Sequence, residues 1–273
     1  MDKKFYKESN DAAFKGIFCK ESNKDLLKEL LESSLERKVE VERIEPNEIP
    51  KENIYLRGKT LDAVVKADGE ILLIEMNTSH YEGLNRRNAA FAFEKYINET
   101  KVSEEYTSMR NIIQLNFTNG LPNDYPLVAK YKLTDKETDL KYIDNLTIYE
   151  FNVEKIFNSC YNEGEERYKF IALLNADKEE LHKLCKGDKK MGKFEKELNK
   201  LNDDKEFRWL MSAEEDATKV NNTILSNERE EGREEGREDK KIEIAKNLIK
   251  MNMNTSDIAK ATQLSIEEIK KLK

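Results

Sequence analysis

Hydrophobic and polar positions recur along this chain with two periods, and the switches between them outline a fold. Residues 9–20 place Ala12, Ala13, Phe14, Ile17 and Phe18 at helical spacing, with Ser9 or Asn10 available as N-cap. A second helix is expected over 23–35, where Leu26, Leu27, Leu30 and Leu31 form one apolar stripe. The period then falls to two: Val39, Val41 and Ile44 alternate with charged residues, as in a strand. After a loop with Pro46 and Pro50 comes the clearest hairpin signal, strands over 60–67 and 70–77 joined by the turn dipeptide Asp68-Gly69. The run 71–74 reads as buried on both faces. An amphipathic helix over 83–101, a strand over 112–117 and two further β-like runs at 127–133 and 146–151 follow. Past residue 158 the strand signals stop, and 164–219 reads as short, highly charged helices. Residues 227–241 carry a Glu-Gly-Arg-Glu repeat that suits a solvated helical or frayed linker, and 242–273 reads as a compact helical piece.

A length of 273 residues accommodates one sizeable domain plus something smaller. The chain is 38% hydrophobic and 38% charged, with a net charge of −7. That acidity counts against a protein that coats nucleic acid through bulk positive charge. It leaves room for a small site that binds a metal and a few phosphates. Cys19, Cys160 and Cys185 lack paired spacing, so neither a zinc motif nor a disulfide framework follows. No signal-peptide run and no bilayer-length apolar stretch is present, and the expectation is a soluble cytoplasmic protein with no membrane partner. His80 and His182 stand too far apart for a histidine–metal nuclease motif, and no Gly-rich phosphate loop appears.

The hairpin carries the candidate chemistry. If Asp68 and Gly69 form a two-residue turn, Ala67 pairs with Glu70, and counting back sets Asp62 opposite Glu75. Opposed residues on antiparallel strands have Cβ atoms about 4.5–5.5 Å apart on one face, and Asn77 shares that face by alternation. Two opposed carboxylates repel unless water or a cation separates them. Oxygen donors at this spacing suit Mg²⁺ or Mn²⁺. On the residues alone, the polar face of a half-exposed hairpin fits the pattern equally well.

A resemblance bears on that balance. Asn10-Asp11-Ala12-Ala13-Phe14-Lys15, then Arg57-Gly58-Lys59-Thr60-Leu61-Asp62 followed by Leu73-Ile74-Glu75-Met76-Asn77, resemble the opening motif and catalytic hairpin of the PD-(D/E)XK nuclease superfamily. Within it, they resemble specifically the bacterial Rpn group, recombination-promoting nucleases or transposase-like proteins. The Gly-Arg-Glu-Glu repeat and the stretches 244–249 and 256–259 resemble that group's C-terminus.

The resemblance implies an α/β fold: a restriction-endonuclease-like core, mixed sheet flanked by helices, with an α-helical C-terminal extension. It implies a Mg²⁺- (or Mn²⁺-) dependent DNA endonuclease linked to recombination, mobile elements or defence. Asp62 and Glu75 become metal ligands. Asn77 takes the place where the superfamily has lysine and the Rpn group commonly glutamine, which puts the level of activity in question. Lys66 and Lys15 are candidates for a displaced lysine. Asp11 matches a further acid on the first helix, although an acid in a first helical turn also favours the helix dipole; Glu29 and Glu32 are lesser alternatives. Arg87, ahead of Arg86, is the expected phosphate contact. The hypothesis is metal-assisted phosphodiester hydrolysis.

Two competitors remain at this level: a catalytically weak or inactive relative that binds DNA or protein, and a transposase with an acidic triad on an RNase H-like sheet. The second lacks an evident third acid. The expected divisions are a core over 1–160, a charged helical extension over 161–226, a linker over 227–241 and a helix-turn-helix-like module over 242–273. That module, with Ser265 and Glu268 as a capping box, fits DNA reading or homodimer contact through the C-terminal helices. A basic stretch over 183–200, with seven lysines against three acids, fits either a DNA backbone track or a solvated helix face.

Overall fold

The computed structural model describes residues 4–45, 61–99 and 105–272. The loop with Pro46 and Pro50 and the 57–60 part of the hairpin motif lie outside them.

Asn10, of the two candidate caps, starts the first helix, α1 (Asp11–Phe18), by accepting from the Ala13 N–H at 3.2 Å. Helix α2 (Lys24–Leu35) buries the expected leucine stripe. Strand β1 (Val41–Glu45) pairs antiparallel with β2 (Ala63–Ala67), and β2 with β3 (Glu70–Asn77). Asp68 and Gly69 have φ of 52° and 73°, the left-handed pair that a type I′ hairpin turn requires. The ladder runs from Ala67↔Glu70 to Ala63↔Ile74, the counted register. β2 is shorter than expected, so Leu61 and Asp62 precede it.

Helix α3 (Leu84–Glu99) crosses to β4 (Ile112–Thr118), parallel to β3. β5 (Val128–Tyr131) and β6 (Leu146–Asn152) complete a sheet of order β1-β2-β3-β4-β6-β5, with β6 parallel to β4 and antiparallel to β5. This is the expected mixed sheet. Ile71 to Ile74 are fully buried, as their unbroken apolar run required of a strand covered on both faces.

Helices α4 (Val153–Glu163), α5 (Lys169–Ala172), α6 (Lys178–Cys185) and α7 (Lys189–Asp203) join α1 and α2 on one face. There Leu72, Ile74, Leu115, Phe117 and Phe151 from the sheet meet Phe14, Leu27, Ile171, Leu174 and Phe194. The other face has a smaller core, in which Val64, Ile71, Leu73, Ile112 and Leu146 meet Phe91 and Ala92 of α3.

The first compact unit therefore runs to Phe207, well past the expected boundary at residue 160. The charged helices of 161–226 hide a sparse apolar stripe: Phe170, Leu173, Leu181, Phe194 and Leu198 are buried in the main core. The basic stretch over 183–200 lies partly on this packed helix. Lys193 reaches Asp25 at 2.5 Å, Lys190 pairs with Glu29, and Lys200 reaches Glu197 at 2.5 Å, so part of its charge is met by acids.

Residues Arg208–Lys273 form the second compact unit. Helix α8 (Lys205–Lys250) runs without a break through the expected linker 227–241. Glutamate, arginine and lysine are good helix formers and carry it through Gly232 and Gly236, each a local cost of about 1 kcal/mol. The end of α8, α9 (Thr255–Thr262) and α10 (Ile266–Lys271) close around Ala245, Ile258, Leu264 and Ile269. Ser265 and Glu268 form the expected capping box. Among the described residues no helix is long and apolar enough to cross a membrane.

Candidate active site

On the α3 face the sheet changes character along its strands. Ile71 and Leu73 give way to Glu75 and Asn77, Ile112 to Gln114, Asn116 and Thr118, and Leu146 and Ile148 to Glu150 and Asn152. Paired residues of parallel strands point the same way, so these side chains form a buried polar field at the carboxyl ends of β3, β4 and β6. That end is where open α/β sheets generally bind ligands.

A cavity of about 270 Å³ opens there, lined among others by Asp11, Lys15, Asp62, Glu75, Asn77 and Arg87. Asp62 and Glu75 are 6% and 2% exposed, which sets them apart from the polar face of a half-exposed hairpin. Asp62 Oδ2 accepts from the Met76 N–H at 2.7 Å, so the carboxylate is tied across to β3 just beyond the end of the ladder. Its Oδ1 lies 2.9 Å from Lys15 Nζ, and the same ammonium is 2.9 Å from Asp11 Oδ1. Glu75 Oε1 is ion-paired with Arg87, while its Oε2 is buried with no hydrogen-bond partner. Arg87 is also 3.4 Å from the Tyr81 hydroxyl and stands over the Phe91 ring at 5.3 Å, one turn on. Asn77 donates through Nδ2 to Thr118 Oγ1 at 3.0 Å, and its Oδ1 is buried and unpartnered. Thr118 in turn is hydrogen-bonded to Glu150.

Burial governs the charge states. It raises the Asp62 carboxyl to about 7, with Asp11 adding to the effect and the Met76 N–H and Lys15 opposing it. Glu75 is raised to about 8 by burial and then by Asp62, against the pull of Arg87. Glu150 is raised to about 7 by burial, against the hydrogen bond from Thr118 and the neighbouring Asn116 carboxamide. Burial works to lower the Lys15 ammonium, but its bonds to Asp11 and Asp62 outweigh that and raise it. Cys19 Sγ lies 3.1 Å from the Asp62 carbonyl oxygen, and burial pushes its thiol up to about 12, so it stays protonated.

Among the sequence candidates, the fold brings Asp11, Lys15, Asp62, Glu75, Asn77 and Arg87 together. It leaves Lys66 out: its ammonium is 2.9 Å from Glu45, with Lys95 approaching the same carboxylate. Arg86 is exposed and does not line the cavity. Glu29 and Glu32 are engaged by Lys190 and Lys38. Sequence reasoning missed Thr118 and Glu150. The available signal was the alternation of Gln114, Asn116 and Thr118 with apolar residues, which places three polar groups on one face of a central strand.

Among the described residues no three His, Cys, Asp or Glu side chains converge as a ready-made metal cluster. Mg²⁺ does not need one: it commonly takes one or two carboxylates, keeping waters and substrate oxygens for the rest. The orphaned Glu75 Oε2, beside Asp62 and the unpartnered Asn77 Oδ1, supplies hard oxygen donors of that kind. The residues present fit such an ion.

No curated protein and no solved structure is significantly similar to this chain. A family model described as PD-(D/E)XK nuclease family transposase matches residues 8–228, a span that includes the whole sheet and every residue lining the cavity. With its mixed sheet, flanking helices and long helical C-terminal region, the chain belongs to the PD-(D/E)XK nuclease family transposases.

Proposed function

We propose that this protein is a Mg²⁺- or Mn²⁺-dependent DNA endonuclease, with Asp62 and Glu75 holding the cation. One observation carries the reading: two buried carboxylates from adjacent segments meet in a cavity, each balanced on one oxygen by a cation, while Glu75 Oε2 has no partner. An unpaired buried carboxylate oxygen is costly, and a bound cation removes that cost.

A bound divalent ion would supply an acidified water and polarise a phosphoryl oxygen. The chain's own groups do the rest. Lys15 contributes the positive charge that the Asn77 position lacks, from α1 rather than from β3. It favours the ionised form of Asp62 against the effect of burial and provides ammonium hydrogens to orient a water or a phosphate oxygen. Arg87, held against Phe91 and Tyr81, contacts a phosphate adjoining the scissile one. Asn77 Oδ1 accepts a hydrogen bond that orients the attacking water.

Asn77 in the lysine position also favours a second reading, a weak or inactive relative that retains DNA binding. Plasmid incubated with Mg²⁺ or Mn²⁺ and wild type, Asp62→Ala or Glu75→Ala separates the two. Cleavage by wild type that disappears in both variants supports the endonuclease. An intact plasmid with every protein supports the binding relative, and cleavage that survives both substitutions overturns the site. Such an activity would serve recombination, mobile-element biology or defence.

A further inference from the structure

We propose that Thr118 and Glu150 are positioning residues that decide which end of the Asn77 carboxamide is presented to the cavity; this rests on the endonuclease reading above. A carboxamide has one accepting and one donating end, and rotation by half a turn exchanges them. Beside the carboxylates of Asp62 and Glu75, an unconstrained Asn77 would turn its NH₂ group toward their negative charge. It would then offer a donor where an attacking water needs an acceptor.

The chain of hydrogen bonds behind the site opposes that rotation. Where Glu150 is a carboxylate, as at the pH 8 of a plasmid-cleavage assay, the single proton of the Thr118 hydroxyl is committed to it. The hydroxyl can therefore only accept from Asn77, and it does so from Nδ2 at 3.0 Å. Turned the other way, Asn77 Oδ1 would face a hydroxyl oxygen with no hydrogen left to give. All three side chains are at most 4% exposed, so water cannot readily substitute for a lost partner. Oδ1 is left buried and unpartnered in the residue that lines the cavity.

The register explains why these three meet. Asn77 pairs with Thr118 across β3 and β4, and Glu150 lies on β6 one rung back, paired with Asn116 on the same face. Neither Thr118 nor Glu150 lines the cavity, so both act through Asn77.

The test uses the full chain and Mg²⁺-dependent plasmid cleavage. Thr118→Val, nearly isosteric, should lower kcat by about tenfold or more, the usual scale for removing a supporting hydrogen bond behind a metal site. KM for DNA should stay unchanged, and Thr118→Ser should recover most of the lost kcat. A Thr118→Val enzyme with wild-type kcat, or a Thr118→Ser enzyme as slow as Thr118→Val, overturns the proposal. A second readout does not depend on cleavage: the side-chain NH₂ signal of Asn77, assigned by its loss in Asn77→Asp. It should exchange slowly with solvent in wild type and fast in Thr118→Val. Fast exchange in wild type overturns the orientation itself. Slow exchange together with an uncut plasmid overturns the endonuclease reading, and with it the catalytic consequence, while leaving the orientation standing.

Discussion

Lys15 Nζ lies 2.9 Å from Asp62 Oδ1, a contact that ties the first helix of the chain to the residue just ahead of the central hairpin. It sets the ammonium of α1 beside one carboxylate while the guanidinium of α3 sits beside the other. Lys15→Met should therefore abolish or severely reduce plasmid cleavage, and Lys15→Arg should retain part of it. Lys66→Met is the control, because Lys66 is held by Glu45. Equal rates for Lys15→Met and wild type in a Mn²⁺ nicking assay would remove Lys15 from the mechanism.

The two raised carboxyls give a pH signature. Asp62 moves from an ordinary 3.8 to about 7 and Glu75 from 4.5 to about 8. Between about pH 4 and pH 8 the folded chain holds more protons than the unfolded one, so these groups make stability fall as pH rises through that window. In EDTA at pH 8, Asp62→Asn should raise the melting temperature by about 2–4 °C, the shift that about 1 kcal/mol gives in a domain of this size. Mg²⁺ should raise the wild-type melting temperature more at pH 8 than at pH 6. A lower melting temperature for Asp62→Asn at pH 8 would sink this account.

Arg87 offsets the charge of a carboxylate that is 2% exposed. Removing it strands Glu75, so Arg87→Gln should cost about 1–3 kcal/mol above pH 8, the penalty of an unsatisfied buried polar group. The double variant Arg87→Gln/Glu75→Gln should recover much of that loss. Urea unfolding of the four proteins measures the coupling, and strictly additive effects would mean the ion pair contributes nothing.

Ile258 is the fully buried centre of the C-terminal helices. Ile258→Ala should cost about 2–5 kcal/mol locally. Limited proteolysis should then cut within 250–272 while the first unit stays resistant. Unchanged resistance there would mean that these helices do not depend on their small core.

Local chemistry decided the hairpin. The left-handed Asp68-Gly69 pair and the two-residue period of the flanking strands are encoded within a few residues, and they specify a register that leads to Asp62 and Glu75. The helices with clear apolar stripes were legible for the same reason, as was the cap at Ser265, while the choice of Asn10 over Ser9 came from the structure. Two boundaries were not legible. Charge density over 161–226 masked the few apolar residues that complete the core, and a Gly-containing repeat left open whether its segment would be helical or frayed.

What the site contains beyond the pair was decided by tertiary structure. Lys15 and Lys66 are equal candidates in one dimension; docking α1 against the sheet brings Lys15 to Asp62 and leaves Lys66 to Glu45. Thr118 and Glu150 reach Asn77 only because β3, β4 and β6 lie side by side in parallel, a pairing no local periodicity specifies. Turn chemistry and strand period act over a few residues, whereas contacts between distant segments depend on how whole elements pack. The carboxylate pair was written in the sequence. The lysine beside it, and the hydrogen bonds that orient Asn77, are products of the fold.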